Sequence, residues 1–450
     1  LYARLADQQP GSYGAYLNLA DHQILSFSPE LFFRVEGGTI VVRPMKGTMP
    51  RGLDQKGDDT QARRLRHDEK NRAEHVMIVD LMRNDLGRIC QPGSVQVSNP
   101  YTVERYRTLH QMTSTVTGRL RPKTTYAEIF RSLFPCGSIT GAPKIRTMQI
   151  IRDLERGPRG VYTGAIGFIA PGGRATFNVA IRTLVVQSGM ARMGVGGGIV
   201  ADSDARDEYR ECLLKASFLT REPRAFELFE TILWDRDYQL LDYHLDRLES
   251  SADYFGFPIA RDALRQRLLH LSAGFESGIP QRIRLSLTAT GESILQSAEF
   301  VAEPKRGSVR LATERTASDD VFRRHKTSNR ELYDRLHAQA VADGFDDVLF
   351  LNQRDEVTEG AITNLFVEKD GEWLTPPVEC GVLPGVLRRH LLQTRPNARE
   401  MILRIGDIES ADALYIGNSL RGLHRVRLHA AGPLTPRSRA TPPDSSPRAA

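Results

Sequence analysis

No stretch of this chain approaches the roughly 20 consecutive apolar residues that a membrane-crossing helix needs. Cysteine is scarce: Cys90, Cys136, Cys212 and Cys380 are far apart, and none forms a C-x-x-C pair. That argues against a disulfide framework and a cysteine-built zinc site, so a reducing cytoplasm is the expected compartment. Blocks of like charge are missing too. Net charge is +6 and the pI about 9.1, but the cations are scattered and arginine-rich, and no nucleic-acid-binding module accompanies them. Small anionic substrates account for them more economically than nucleic acid or a membrane surface. No internal repeat is seen, and the start of this sequence does not read as a secretory signal. The first residue is Leu1 and the chain opens in mid-pattern, so a fragment without its true N-terminus is expected.

What is present is ordinary globular composition, 40% hydrophobic and 26% charged. A chain of 450 residues exceeds one core, so two or more domains are expected. Residues 1–50 read as strands and turns, with "AYLNLA" and "TIVVRPM" strand-like. From Thr60 to Leu86 the pattern is helical, with Ala73, Met77 and Leu81 recurring every four residues. Residues 124–134 and 142–155 suggest further helices, followed by the strands "YTGAIGFIA" and "TFNVAIRTLVVQ". Next come a strand ending in a triple glycine, "ARMGVGGGIVADSD", and a helix from Asp204 to Leu219. The pattern breaks at "TREPRAFE" and restarts with a strand at 226–233 and a helix at 244–255. These changes divide the chain into units 1–222 and 226–430 and a Pro/Ser/Arg-rich tail, 431–450, expected to be disordered.

Three features of the first unit carry chemistry. Glu208, Glu211 and Lys215 share one face of a helix. With Glu74 from another helix, they could supply carboxylates to a hard cation such as Mg²⁺, which takes one or two carboxylates plus water and an anionic ligand. The same spacing equally suits a solvated helix face. Gly196, Gly197 and Gly198 allow close backbone approach to an anion, or form a plain turn. "FPCGSITGAPKIR" sets Ser138 and Thr140 just before a helix, a carboxylate or phosphate seat or simply a capped start. Lys46, in "RPMKGTMPRG", is either a surface charge after a strand or an amine placed in a pocket.

Taken in order, "SPELFFR", "RPMKGTMPRG", "EKNRAEHVMIVDLMRNDLGRIC", "HQMTSTVTGRL", "FPCGSITGAPK", "YTGAIGF", "NVAIRT" and "GVGGGIVADSD" resemble the chorismate-utilising enzyme family across nearly all of residues 13–216. The resemblance implies an α+β fold, an antiparallel β-sandwich with flanking helices around a cleft for chorismate and Mg²⁺. It assigns Glu74 and Glu211 to the metal, with Glu208 as helper. Tyr162, Arg182, the Gly196–Gly198 backbone and Lys215 are assigned to substrate, with Ser138 and Thr140 as pocket hydroxyls. His110 is placed near the departing oxygen, and Glu30 becomes the acid/base that assists loss of the 4-hydroxyl. Within the family, anthranilate synthases carry alanine where this chain has Lys46. The aminodeoxychorismate synthases carry lysine, held to attack C2 of chorismate before ammonia displaces it by attack at C4. An amine attacks only when neutral, a state that burial and a neighbouring cation or metal favour. Met45 and Cys136 depart from the usual residues and read as packing changes.

In the second unit, "HKTSNR" isolates Lys326, "EVTEGAITNLFV" places Glu359 at a strand-like bend, and "GVLPGVLRRHLL" puts Gly385 ahead of a helix. "HLDRLESSA" offers Arg247, and "YIGNSLRG" offers Ser419. A pyridoxal phosphate enzyme needs a Schiff-base lysine, an acid for the ring nitrogen and a phosphate cradle. Together these segments resemble the class IV pyridoxal phosphate family, which implies two α/β subdomains, usually in a dimer. The resemblance assigns Lys326 to the cofactor and to proton transfer, and Glu359 to the ring nitrogen. Arg247, the Val386 and Leu387 backbone, and Ser419 are assigned to the phosphate. Lyase and transaminase share these motifs.

The fusion implies a two-step route to 4-aminobenzoate in folate synthesis. Chorismate would be aminated at C4 in the first unit, and pyruvate would be eliminated in the second. Ammonia is expected from a separate glutamine amidotransferase, since no Cys-His-Glu glutaminase signature is present. The rival expectation is an anthranilate synthase-like unit fused to a branched-chain or D-amino acid aminotransferase.

Overall fold

The computed structural model describes residues 1–8, 13–106, 109–219 and 225–429. The expected tail at 431–450 lies outside the described residues, as does most of the expected boundary at 222–225. The chain divides into two compact units between Ala225 and Phe226, with the short segment Leu53–Gln55 grouped with the second. Both units mix helices with sheets in an α+β arrangement.

The first unit holds two sheets, antiparallel throughout. One has four strands, in the order Tyr13–Asn18, Gln23–Ser28, Thr183–Gln187 and Met190–Met193. The other runs Met45–Pro50, Leu109–Arg119, Thr39–Val42, Leu31–Glu36, Arg174–Val179, Ala165–Ala170, with Gln96–Arg105 also pairing to Leu109–Arg119. Phe32, Phe33, Ile40 and Val42 from this sheet pack with Ile78, Val79, Met82 and Leu86 of the helix Glu69–Gly87 and with Ile129 and Leu133 of the helix Tyr126–Leu133. Each such buried side chain contributes about 1.5–3 kcal/mol.

Three expectations are corrected. Residues 2–8 form a helix, not a strand, and Leu5 is buried with Phe27 and Phe218. The helix expected over 60–86 is two, Gln55–His67 and Glu69–Gly87, because the Asp68 carboxylate accepts from the Asn71 N–H and caps the second. The Ala73–Met77–Leu81 stripe is not the core face. Ala73 and Met77 are exposed, and the buried set falls one or two positions later, at His75, Ile78, Val79, Met82 and Leu86. The helix Lys144–Leu154 buries none of its residues, although Ile145, Met148, Ile150 and Leu154 lie on it.

The second unit opens on a four-stranded antiparallel sheet, Asp237–Tyr238, Leu228–Asp235, Gln281–Leu287 and Ser293–Glu299, with helices Leu241–Phe255 and Arg261–Ser272 packed on it. An eight-stranded mixed sheet follows. Its core is built on Val309, Leu349, Val357, Leu365 and Ile416. Among the described residues no helix is long and apolar enough to cross a membrane.

Candidate active sites

In the first unit, Lys46 lies on the strand Met45–Pro50, whose pairing with Leu109–Arg119 slips between Met45 and Thr48. Such a bulge re-aims the side chain it carries. Gly47, at φ +85°, supplies the turn, and a Cβ there would press on Asn71. The Lys46 Nζ approaches Gly198 so closely that a Cβ built on that glycine would lie 2.7 Å from it. Glu30 is 4% exposed, and its Oε1 has no hydrogen-bond partner. Burial pushes its carboxyl up to about 7, against the pull of a hydrogen bond to Ser138 and the charge of Lys46. Ser138 sits on the single turn Gly137–Ile139, 3.2 Å from the Cys136 Sγ. A buried carboxyl that keeps its proton near neutrality, beside a lysine, is a general-acid arrangement.

The glycine segment is irregular backbone beyond the strand Met190–Met193, and its glycines are fitted to different side chains. A Cβ on Gly194 would strike the Tyr162 ring at 2.4 Å, one on Gly196 the Tyr162 hydroxyl at 2.8 Å, and one on Gly197 the Glu208 Oε2 at 2.7 Å. Lys215 donates to the Gly196 carbonyl at 2.9 Å and pairs with Glu211 at 2.6 Å. Ser203 donates to Glu208 at 2.6 Å. Arg182, at φ +49°, is half-buried with its Nη1 unpartnered, and burial lowers its pKa. Lys46, Tyr162, Glu208, Glu211 and Lys215 thus gather around the glycine segment, and Glu30 with Ser138 is coupled to Lys46 through its charge.

Three assigned residues form no hydrogen bond or ion pair with that group among the described residues. The Thr140 hydroxyl donates to the Cys136 carbonyl at 2.9 Å and closes its own turn. His110 is fully buried, with its Nε2 2.8 Å from Asp58. Glu74 is half-buried and forms no ion pair among the described residues. No three His, Cys, Asp or Glu side chains among the described residues are gathered as a metal site. Among the described residues Glu208 and Glu211 contact Ser203 and Lys215.

Sequence reasoning missed Asp58. This carboxylate is fully buried, which by itself would raise its pKa. Hydrogen bonds from His110 and Arg51 instead hold it down at about 2. Asp58 also accepts from the Gly52 N–H at 3.0 Å, which anchors the end of the Lys46 strand. In a polar run such as "QKGDDTQ" no periodicity marks one aspartate as buried.

In the second unit a cavity of about 350 Å³ is lined by Lys326, Glu359, Arg247, Val386 and Ser419. Lys326 is pinned by its backbone, since its carbonyl accepts from the Phe229 N–H at 3.0 Å. Its Nζ lies 4.6 Å from the Phe229 ring centre. Burial, aided by the Arg247 charge, brings the Lys326 amine down to about 7. Glu359 is 4% exposed and accepts from Asn364 Nδ2 and the Leu383 N–H, each at 3.1 Å, and from the Tyr333 hydroxyl at 3.4 Å. Burial nevertheless raises it to about 8. Gly385 caps the helix Val386–Thr394, and Gly385 and Val386 line the cavity. Leu387 is not among the residues that line the cavity, and its side chain packs beside Phe366, Trp373 and Leu391. Tyr333 and Arg330 line the cavity, and Glu230 accepts from Arg247 behind it; none of the three was singled out from sequence.

This donor set fits pyridoxal phosphate. An amine near neutrality meets the aldehyde, a carboxyl that is costly to ionise alone gains from a pyridinium N–H, and Arg247 with the helix amides suits a phosphate.

Comparison with known proteins gives the same division. Residues 1–221 match the chorismate binding enzyme family model, and residues 227–428 match that of amino-transferase class IV. Each unit thus matches one family model, the first that of chorismate binding enzymes and the second that of class IV amino-transferases. Its first unit is 49% identical over 216 residues to aminodeoxychorismate synthase of Streptomyces pristinaespiralis, covering 48% of this chain and 30% of that protein. It is 46% identical over 227 residues to anthranilate synthase component 1 of Streptomyces coelicolor, covering 50% of this chain and 44% of that protein. A solved structure from Legionella pneumophila, provisionally described as a 4-amino-4-deoxychorismate lyase, is 27% identical. It covers 45% of this chain and 82% of that one, with a TM-score of 0.41. The chain spans less than half the length of these two curated relatives.

Proposed function

We propose that the chain makes 4-aminobenzoate from chorismate in two steps. The first unit aminates C4 of chorismate. The second eliminates pyruvate from the 4-amino-4-deoxychorismate formed. Overall identity does not separate 4-amination from 2-amination, because synthases of both kinds are similarly related to the first unit. The observation that carries the choice is Lys46, set by a bulge beside Glu30 and Gly198.

In this reading the Lys46 Nζ adds to C2 as the C4–O bond breaks, and Glu30 gives its proton to the departing hydroxyl, which leaves as water. Ammonia then adds at C4, and Lys46 departs from C2 with its electron pair returned. Arg182, Lys215 and Tyr162 hold the two carboxylates, and the glycines let the ring approach the backbone. Glu208 and Glu211 could supply the one or two carboxylates that a Mg²⁺ ion requires, the rest being water and substrate. Heats of Mg²⁺ binding to the Glu211→Gln variant test this.

In the second unit pyridoxal phosphate, when bound, supplies an electron sink. Lys326 holds the cofactor and moves the C4 proton of the substrate, Glu359 orients the ring, and Arg247, Ser419 and the Val386 and Leu387 amides hold the phosphate. Ammonia comes from a separate glutamine amidotransferase in the cytoplasm, and the second unit pairs with its copy. Co-purification and light scattering check these partners.

The deciding experiment supplies chorismate, ammonium, Mg²⁺ and pyridoxal phosphate to the purified chain. 4-Aminobenzoate and pyruvate are the expected products, and anthranilate would sink the assignment of Lys46.

A further inference from the structure

The strand Leu228–Asp235 turns Leu228, Ile232 and Trp234 into the apolar core beneath the helix Leu241–Phe255. With a period of two, the fourth member of that row is Glu230. This carboxylate is 1% exposed where a leucine or valine would be cheaper. It is fully engaged. Arg247 donates to it twice, Nε at 2.8 Å and Nη2 at 2.6 Å, and His244 Nδ1 lies 2.6 Å away. Burial alone would raise Glu230, but Arg247 and His244 hold it down at about 2. Burial lowers the His244 pKa, and its Nε2 has no hydrogen-bond partner.

Arg247 lies three residues after His244, on the same helix face. Of its five guanidinium donors, two go to Glu230 and one to the Pro384 carbonyl at 3.3 Å. Two remain, and Arg247 lines the cavity. The bidentate grip fixes the plane of the guanidinium, and hence the direction of the free donors.

We infer that Glu230 is a positioning residue that orients Arg247 toward the phosphate of the cofactor, with His244 steadying the carboxylate. This rests on the proposed cofactor of the second unit. Glu230 touches neither substrate nor cofactor in this role. Its effect is selective for ligands that carry a phosphate.

The test titrates the full chain with pyridoxal phosphate and, separately, with pyridoxal, which has the same aldehyde and ring but no phosphate. Capture by Lys326 is followed by absorbance. In Glu230→Gln the dissociation constant for pyridoxal phosphate should rise on the order of 10-fold or more. That for pyridoxal should stay within about twofold, with unchanged far-ultraviolet circular dichroism. Inorganic phosphate should compete with pyridoxal phosphate less effectively in the variant than in the parent. Should Glu230→Gln not fold, Glu230→Asp keeps the charge, shortens the reach and should show the same selective loss. Equal weakening of both aldehydes, or of neither, would overturn the inference. A parent chain that captures neither aldehyde would overturn the cofactor assignment, and this inference with it.

Discussion

At the scale of the residue, the site rests on ionisable groups taken out of water. Glu30 is the clearest case. Its carboxyl titrates at about 7 in the folded chain, against an ordinary 4.5. The folded state therefore keeps a proton that the unfolded state has released, and stability falls as pH rises from 4.5 toward 7. Glu30→Gln should abolish C4 amination and yet stabilise the chain by up to about 3 kcal/mol at pH 8, with little gain at pH 4. Denaturant melts at the two pH values check the sign. Lys326 runs the other way. Its amine is depressed to about 7 from 10.5, so the unfolded chain binds more protons between those values and stability rises across that window. Its capture of pyridoxal phosphate should accelerate as pH rises through about 7, read by stopped-flow absorbance, and should vanish in Lys326→Ala. These residue identities were legible in the sequence because they sit in motifs. Their partners were not. Glu230 looks like one more acid in "FELFET", and only the strand's pleat turns it into the core. The capping role of Asp68 was written in "HDEKN", an aspartate three residues ahead of its amide partner, yet a continuous helical pattern hid it.

At the scale of the element, helices and strands act by presenting their ends. The cap of the helix Val386–Thr394 shows this best. A Cβ on Gly385 would lie 1.7 Å from the Asn364 Oδ1. Asn364 donates both to Glu359 and to the Leu383 carbonyl. Gly385→Ala should therefore push Asn364 off Glu359 and weaken pyridoxal phosphate binding on the order of 10-fold or more, measured by equilibrium titration. Unchanged affinity would mean that the loop yields cheaply. Existence and type of most long elements could be read from pattern, including the helices at 126–133 and 144–154. The facing of the helix Glu69–Gly87 could not. Its apolar residues are spread around much of its girth, so spacing alone admits more than one buried stripe, and the sheet beneath decides.

At the scale of the whole molecule, the proposed reading gives one polypeptide two chemistries, each with its own reactive lysine. Lys46→Ala should lower C4 amination at least about 100-fold while leaving elimination of pyruvate from added 4-amino-4-deoxychorismate intact. Lys326→Ala should do the converse. Mixing the two variants should restore 4-aminobenzoate, detected by chromatography, since the intermediate can leave one chain and enter another. The division into two units was visible in the sequence as two motif sets separated by a break. What sequence could not give was the convergence within each set, which depends on pairs such as Lys46 with Gly198, distant along the chain. That pairing has a consequence for variation. Gly194, Gly196, Gly197 and Gly198 each leave room for a different part of Tyr162, Glu208 or Lys46. In a saturation library scored for growth without added 4-aminobenzoate, these four codons should tolerate almost nothing, and Val195 between them, 41% exposed, should tolerate much more. Selection would then write the outline of the cleft into the sequence as a comb of fixed glycines, readable from a population of survivors.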